Sequence, residues 1–231
     1  MKFYETILFD LDGTLTDPKQ GMVKSFQYAL SFFEIENTDL SVLEKCIGPP
    51  LQDSFPEYFG LSRKDTEMAM KKYREYFSEK GLFENEVYAG IPELLEALRE
   101  DGRALILATS KPALYSRKIL EHFSLREYFT FISGSTMSGS RLRKADIIRY
   151  GLKKRPPAAG AAVVMVGDRK HDVVGAKETG VDSVGVLYGY GSRAEMEACA
   201  PDAIISSVGA LKKFFLEDGR PWHRHQKRTS C

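Results

Sequence analysis

Apolar positions along the chain follow two patterns that replace one another. A largely apolar run, Thr6-Ile7-Leu8-Phe9, is stopped by Asp10-Leu11-Asp12-Gly13, and a short continuous run bounded by glycine predicts a strand buried on both faces. The spacing then changes: Met22, Phe26, Ala29, Leu30 and Phe33 recur every three or four residues with Lys24 and Gln27 between them, predicting an amphipathic helix. Asp17-Pro18 suits its start, because proline is tolerated in a first turn and an acid there complements the helix dipole. Further helices are predicted over residues 40–46, 51–59 and 64–80, the last capped by Ser62. Nothing from Asp17 to about Phe83 looks like a strand.

From Val87 strands and helices alternate. Pro92 to Leu98 predicts a helix closed by Gly102, residues 104–108 a strand, 112–122 a helix, 129–133 a strand and 144–153 a helix. The series continues with strands at 161–166, 183–187 and 203–205 and helices at 173–179 and 208–216. Such alternation implies a parallel sheet with right-handed crossovers and helices on both faces. The expected fold class is therefore α/β: a doubly wound, mostly parallel, Rossmann-like core with an inserted all-α segment. Residues 1–16 and 84–217 would form the core, 17–83 the helical insert, and 218–231 a flexible tail. His223 and His225 in that tail flank Arg224; such a spacing could bind a metal, but a frayed polar terminus is the favoured reading.

Composition narrows the partners. The chain has 231 residues, with 33 Lys and Arg against 32 Asp and Glu, so no net charge draws it to nucleic acid or to an anionic membrane. Cys46, Cys199 and Cys231 form no CxxC pair, which suggests neither a disulfide framework nor a zinc site and fits a reducing compartment. Glu5 and Asp10 interrupt any signal-peptide core, and no 18 apolar residues run together. The expectation is a cytoplasmic protein.

Candidate chemistry gathers where strands end. Asp10 and Asp12 would sit at the carboxyl end of the first strand, where open α/β sheets place their ligands. Two acids so close repel one another unless a proton or a hard cation such as Mg²⁺ compensates; alternatively they cap a polar turn. Thr109-Ser110-Lys111-Pro112 offers hydroxyls and backbone N–H groups at a predicted helix start, a seat for an anion. Gly167-Asp168 and Asp172 add acids after the 161–166 strand, and Arg141-Leu142-Arg143-Lys144 leads cations into a helix. Together these supply a nucleophilic carboxylate, a second acid, phosphate-binding groups and cation ligands, the set that phosphoryl transfer to an aspartate requires. Within the insert, Ile47-Gly48-Pro49-Pro50-Leu51 predicts a rigid loop, either a connector or a wall of the site.

Asp10-Leu11-Asp12-Gly13-Thr14, Thr109-Ser110, a lysine before a late helix, and Gly167-Asp168 with Asp172 resemble the four motifs of the haloacid dehalogenase-like hydrolase superfamily. The helical insert resembles that family's cap. The resemblance implies that Asp10 attacks phosphorus, that Asp12 protonates the leaving oxygen and then activates water, and that Thr109, Ser110 and Lys144 hold the phosphoryl group. It implies Mg²⁺ bound by the Asp10 carboxylate, the Asp12 main-chain carbonyl and Asp168, with Asp172 in support. Many members carry the third-motif lysine before a proline; here Arg141, Arg143 and Lys144 compete for that role, and Lys144 is the choice. Asp12 argues against a dehalogenase, whose leaving halide needs no proton. A mutase, and a phospho-accepting regulatory domain, remain alternatives to a phosphatase. Ile47-Gly48-Pro49-Pro50-Leu51 and Leu187-Tyr188-Gly189-Tyr190-Gly191-Ser192 resemble the phosphoglycolate phosphatase and bacterial 5'-nucleotidase branch, and Gly134-Ser135-Thr136-Met137 tips the resemblance toward the nucleotidases. A small phosphorylated metabolite is the implied substrate, with a sugar phosphate as a further possibility, and Gly48, Pro49, Pro50 and Leu51 would help select it.

Overall fold

The structure is a computed structural model describing residues 2–36, 38–137 and 140–217; residues 218–231, with the histidine pair and the expected tail, lie outside the described residues. β1 (Tyr4–Phe9) leads through a turn into β2 (Thr16–Asp17), followed by α1 (Lys19–Ser31), α2 (Leu40–Lys45), α3 (Leu51–Phe59), α4 (Arg63–Tyr76) and a π-helical turn, Phe77–Gly81. After β3 (Glu86–Val87) come α5 (Ile91–Glu100), β4 (Ala104–Pro112), α6 (Ala113–His122), a 3-10 turn (Arg126–Tyr128), β5 (Phe131–Ser135) and α7 (Lys144–Lys154). The chain continues through β6 (Ala162–Gly167), α8 (Lys170–Thr179), β7 (Asp182–Val186), α9 (Arg193–Cys199), β8 (Ala203–Ile205) and α10 (Val208–Leu216).

The described residues form a six-stranded sheet ordered β5-β4-β1-β6-β7-β8, with every neighbouring pair parallel. β1 lies in mid-sheet, where the winding reverses, and its carboxyl end opens on the crevice in which such sheets hold ligands. Alternate residues explain the unbroken apolar runs. Ile7, Phe9, Leu105, Leu107, Val164 and Val166 face the cluster built with α5, α6 and α10, whereas Leu8, Ile106, Ala108 and Met165 face α7 and α8. Each of the larger side chains removed from water stabilises the fold by about 1.5–3 kcal/mol, so a strand covered on both faces has no polar stripe.

Between β2 and β3 the structure is helical, with its own aromatic centre: the Phe26 ring lies 5.1 Å from Phe55 and 5.0 Å from Tyr73. Ser62 caps α4 as expected, accepting from the Asp65 N–H at 3.2 Å. Four local expectations need correction. Asp17 belongs to a short antiparallel ladder with Glu86, so the region is not wholly free of strand. The strand expected over 129–133 is observed as β5, Phe131–Ser135, after the 3-10 turn. β4 continues extended to Pro112, where the Thr109–Gly134 register shifts before Pro112 pairs with Ser135; the strand expected to end at Ala108 therefore runs four residues further, and the helix expected from Pro112 begins at Ala113. α8 begins at Lys170, placing Asp172 in its first turn, where its Oδ2 accepts from the Arg169 N–H at 3.1 Å. Among the described residues no helix is long and apolar enough to cross a membrane.

Candidate active site

The turn after β1 projects both early aspartates. The Asp10 N–H donates to the Val166 carbonyl at 2.9 Å, extending the β1–β6 ladder by one rung, and Leu15 and Thr16 then donate back to the Leu11 carbonyl. Gly13 completes the turn at φ +80, and a Cβ there would lie 2.2 Å from Asp168 Oδ2. Glycine is therefore required twice over, by conformation and by the approach of the carboxylate.

Asp168 and Asp172 arrive from the end of β6 and the start of α8. Asp168 is fully buried and accepts from the Thr14 hydroxyl at 3.2 Å and from the Tyr190 N–H at 2.8 Å. Burial, then the charges of Asp172 and Asp10, push its carboxyl up to about 8. The Asp172 carboxyl is likewise raised by burial, with Lys144 drawing it back. Oxygens of Asp10, Asp168 and Asp172 lie within 4.8 Å of one another.

Of the three cations that competed in the sequence, Lys144 reaches this cluster. Its Nζ lies 2.7 Å from Asp172 and 3.0 Å from Asp10, and it donates to the Ala108 carbonyl at 3.0 Å. Burial alone would lower its pKa, but Asp10 and Asp172 outweigh burial and raise it. Arg143 instead pairs with Glu178 at 2.7 Å on the surface, and Arg141 lies 3.7 Å over the Tyr150 ring.

A lysine to which sequence reasoning gave no separate role completes the centre. Lys111, at the extended end of β4, places its Nζ 3.0 Å from Asp12 Oδ1, with both side chains nearly buried. Burial raises the Asp12 carboxyl, and Lys111 opposes the rise. Four carboxyls, Asp10, Asp12, Asp168 and Asp172, thus meet two ammonium groups. With all four ionised, two ammonium groups would leave negative charge uncompensated, and this all-oxygen donor set fits a hard divalent cation such as Mg²⁺.

Asp10 and Asp12 open on a cavity of about 300 Å³, also lined by Thr109, Ser110 and Lys111. Gly48, Pro49, Pro50 and Leu51, from the loop singled out in the helical segment, line the same cavity. Thr109 is buried, and its hydroxyl accepts from the Lys111 N–H at 3.2 Å. The remaining wall is aromatic: Tyr73 stacks on Phe77 at 5.4 Å, Phe77 meets Tyr115 edge-on at 5.6 Å, and Lys111 lies 4.6 Å from the Phe77 ring. Arg74 joins this wall and pairs with no carboxylate among the described residues. These aromatic residues carry no local motif; the i, i+4 pair Tyr73 and Phe77 on one helical face was their signal.

The profile of the haloacid dehalogenase-like hydrolase family matches residues 7–186. A 5'-nucleotidase of Pseudomonas aeruginosa is 44% identical over 210 residues, 91% of this chain and 95% of that protein. A crystal structure described as a predicted phosphatase from Clostridium acetobutylicum superposes with a TM-score of 0.86 at 44% identity, covering 94% of this chain and 100% of the other. A tyrosine-protein kinase of Mycobacterium tuberculosis is 38% identical over 187 residues, 81% of this chain and 63% of that protein.

Proposed function

Because the chain belongs to the haloacid dehalogenase-like hydrolase family and is a phosphoric monoester hydrolase, we propose that it acts through an aspartyl-phosphate on Asp10, with nucleoside 5'-monophosphates as substrates. The observation that carries this reading is the pair of carboxyls, Asp10 and Asp12, at the floor of one aromatic-walled cavity. An Asp10 oxygen attacks phosphorus; the ester P–O bond breaks, and the departing oxygen takes a proton from Asp12. Asp12, now a carboxylate, removes a proton from water, whose oxygen attacks phosphorus and releases Asp10 and inorganic phosphate. Lys144 and Thr109 hold phosphoryl oxygens, and Ser110 adds a further donor.

The carboxylates of Asp10, Asp168 and Asp172 and the Asp12 carbonyl would hold Mg²⁺, which when bound would offset the repulsion between carboxylates and a phosphate dianion. Turnover should accordingly vanish after exhaustive EDTA treatment and return with added Mg²⁺. Full activity in the chelated protein would remove the cation from the account.

The helical segment over residues 17–83 serves as the cap. It presents the leaving group with Tyr73, Phe77 and the 48–51 loop, while Tyr115 closes the wall from the core side. A nucleobase suits such walls, since every base has a face that stacks on an aromatic ring, and Arg74 would donate to acceptors on the base. The similarity to a 5'-nucleotidase supports the same substrate class. A screen of nucleoside monophosphates, phosphoglycolate and sugar phosphates tests it: nucleotides should give the highest kcat/KM, and a phosphoglycolate preference would overturn the assignment. Division of labour should also show in variants. Pro49→Ala and Leu51→Ala should re-order kcat/KM among substrates, whereas Lys144→Ala should depress all of them, because Lys144 holds the phosphoryl group that every substrate shares. A common-factor loss in the loop variants would make the loop a mere connector.

A further inference from the structure

The geometry points to Arg169 as a positioning residue that fixes the 47–51 loop over the cavity and thereby sets which leaving groups are accepted; this rests on the reading above that the loop faces the leaving group. Arg169 is not among the residues lining the cavity. It follows Asp168 and works in two directions. Its backbone N–H is committed to Asp172 Oδ2 at 3.1 Å, inside the acidic cluster. Its side chain turns outward: Nη1 donates to the Ile47 carbonyl at 2.8 Å, across 122 residues of sequence, and Nε donates to Glu195 Oε1 at 3.1 Å.

Glu195 makes the arginine rigid. The same Oε1 accepts the Lys170 N–H at 2.7 Å, and the residue is held in α9 by Ser192, whose hydroxyl accepts from the Glu195 N–H at 3.1 Å. The Arg169 and Glu195 side chains are only 16% and 21% exposed, so their contact is shielded from the competition that weakens surface pairs. A guanidinium can supply donors along two directions at once; an ammonium on a flexible stem holds such a fork poorly.

The loop is built to receive this contact. Pro49 and Pro50 have no N–H to offer, and the Ile47 N–H is already committed to the Glu44 carbonyl at 3.1 Å, so the bond to Arg169 runs through the Ile47 carbonyl. Gly48 adopts φ +102, and a Cβ there would come within 3.2 Å of Arg169 Nη1. Gly48 thus permits both the turn and the close approach of the arginine. One residue beside the proposed cation ligands therefore joins the acidic cluster, through its backbone, to the wall that meets the substrate, through its side chain.

The test uses the whole chain with Arg169→Met, Arg169→Lys, Glu195→Ala and Gly48→Ala, each checked for a normal thermal transition. Hydrogen exchange of a peptide spanning residues 43–55 should quicken about ten-fold in Arg169→Met, the size expected on losing one charge-assisted hydrogen bond. Glu195→Ala, which leaves the arginine in place, and Gly48→Ala should shift exchange in the same direction, and Arg169→Lys should restore part of the protection. In kinetics, KM for nucleoside monophosphates should rise about ten-fold in Arg169→Met with kcat within about two-fold, while kcat/KM for p-nitrophenyl phosphate changes less than about three-fold. Unchanged exchange at 43–55 in both Arg169→Met and Glu195→Ala would overturn the proposal. So would one common loss in kcat for every substrate, which would place Arg169 in the chemistry through Asp168. If the wild-type protein turned over no nucleotide, the substrate reading would fail on its own, and loop exchange would still decide the contact.

Discussion

Asp10→Asn is expected to lower turnover by at least about three powers of ten on every substrate, since an amide is a poor nucleophile and a weaker cation ligand than a carboxylate. The fold should persist. Asparagine retains an oxygen able to accept from Lys144, which lies 3.0 Å from the Asp10 carboxylate, and it removes one of the charges crowding Asp168 and Asp172. Stability of the metal-free protein should therefore stay level or rise. The measurement is kcat for a homogeneous variant on the best wild-type substrate, with a thermal melt beside it. Retention of a tenth of the wild-type rate would rule out Asp10 as the nucleophile.

Asp12→Ala should cost roughly two to four powers of ten in the chemical step while binding changes little, the range typical of a lost general acid-base. The structure supports the acid role: burial raises the Asp12 carboxyl and so favours its protonated form, with Lys111 keeping the rise in check from 3.0 Å. The loss should depend on the leaving group. p-Nitrophenolate departs without much help, so the phosphorylation step should suffer less with p-nitrophenyl phosphate than with a nucleotide, whose alkoxide needs the proton. Because alanine also strands the Lys111 ammonium, Asp12→Asn serves as the control that keeps an acceptor beside it. Single-turnover rates give the comparison; equal losses for good and poor leaving groups would reject the acid role.

The parts of this site that local sequence reveals are those whose chemistry sits in contiguous residues. Asp10 and Asp12 share one strand end, Thr109 and Ser110 another, and Asp168 and Asp172 a third; continuous apolar runs placed each end on one edge of a parallel sheet. Lys111 adjoins Thr109 and Ser110 in sequence, but its role depends on β4 remaining extended through Pro112, an irregular register that no periodicity signals. α8 starts three residues before the apolar pattern does, because its first turn is polar and fixed by the bond from the Arg169 N–H to Asp172.

Long-range partners left weaker traces. α9 escaped notice because only Met196 within its seven residues is buried; the cue that remained was Ser192 followed three residues later by Glu195, the spacing of a capping box. In the structure the Glu195 carboxylate reaches Arg169 and Lys170 instead, and that departure is what ties the loop at Ile47 to the core. The tyrosines of Tyr188-Gly189-Tyr190 carry no periodic signal, yet they have plain structural roles. The Tyr188 hydroxyl donates to the Thr14 carbonyl at 3.1 Å, the Tyr190 N–H to Asp168, and the Tyr190 hydroxyl to Asp17. Gly189 passes so close that a Cβ would lie 2.2 Å from the Gly13 carbonyl oxygen.

The central claim is a covalent phosphoryl group on Asp10, and the most direct test is to trap it. Asp12→Ala, mixed with excess p-nitrophenyl phosphate and Mg²⁺, should form the intermediate with an easy leaving group yet hydrolyse it slowly for want of a base. After acid quench, the intact protein should gain the mass of one phosphoryl group, and borohydride reduction should convert Asp10, and no other residue, to homoserine. A burst of one equivalent of p-nitrophenol with no phosphoryl mass on the protein, or reduction at a residue other than Asp10, would contradict the account.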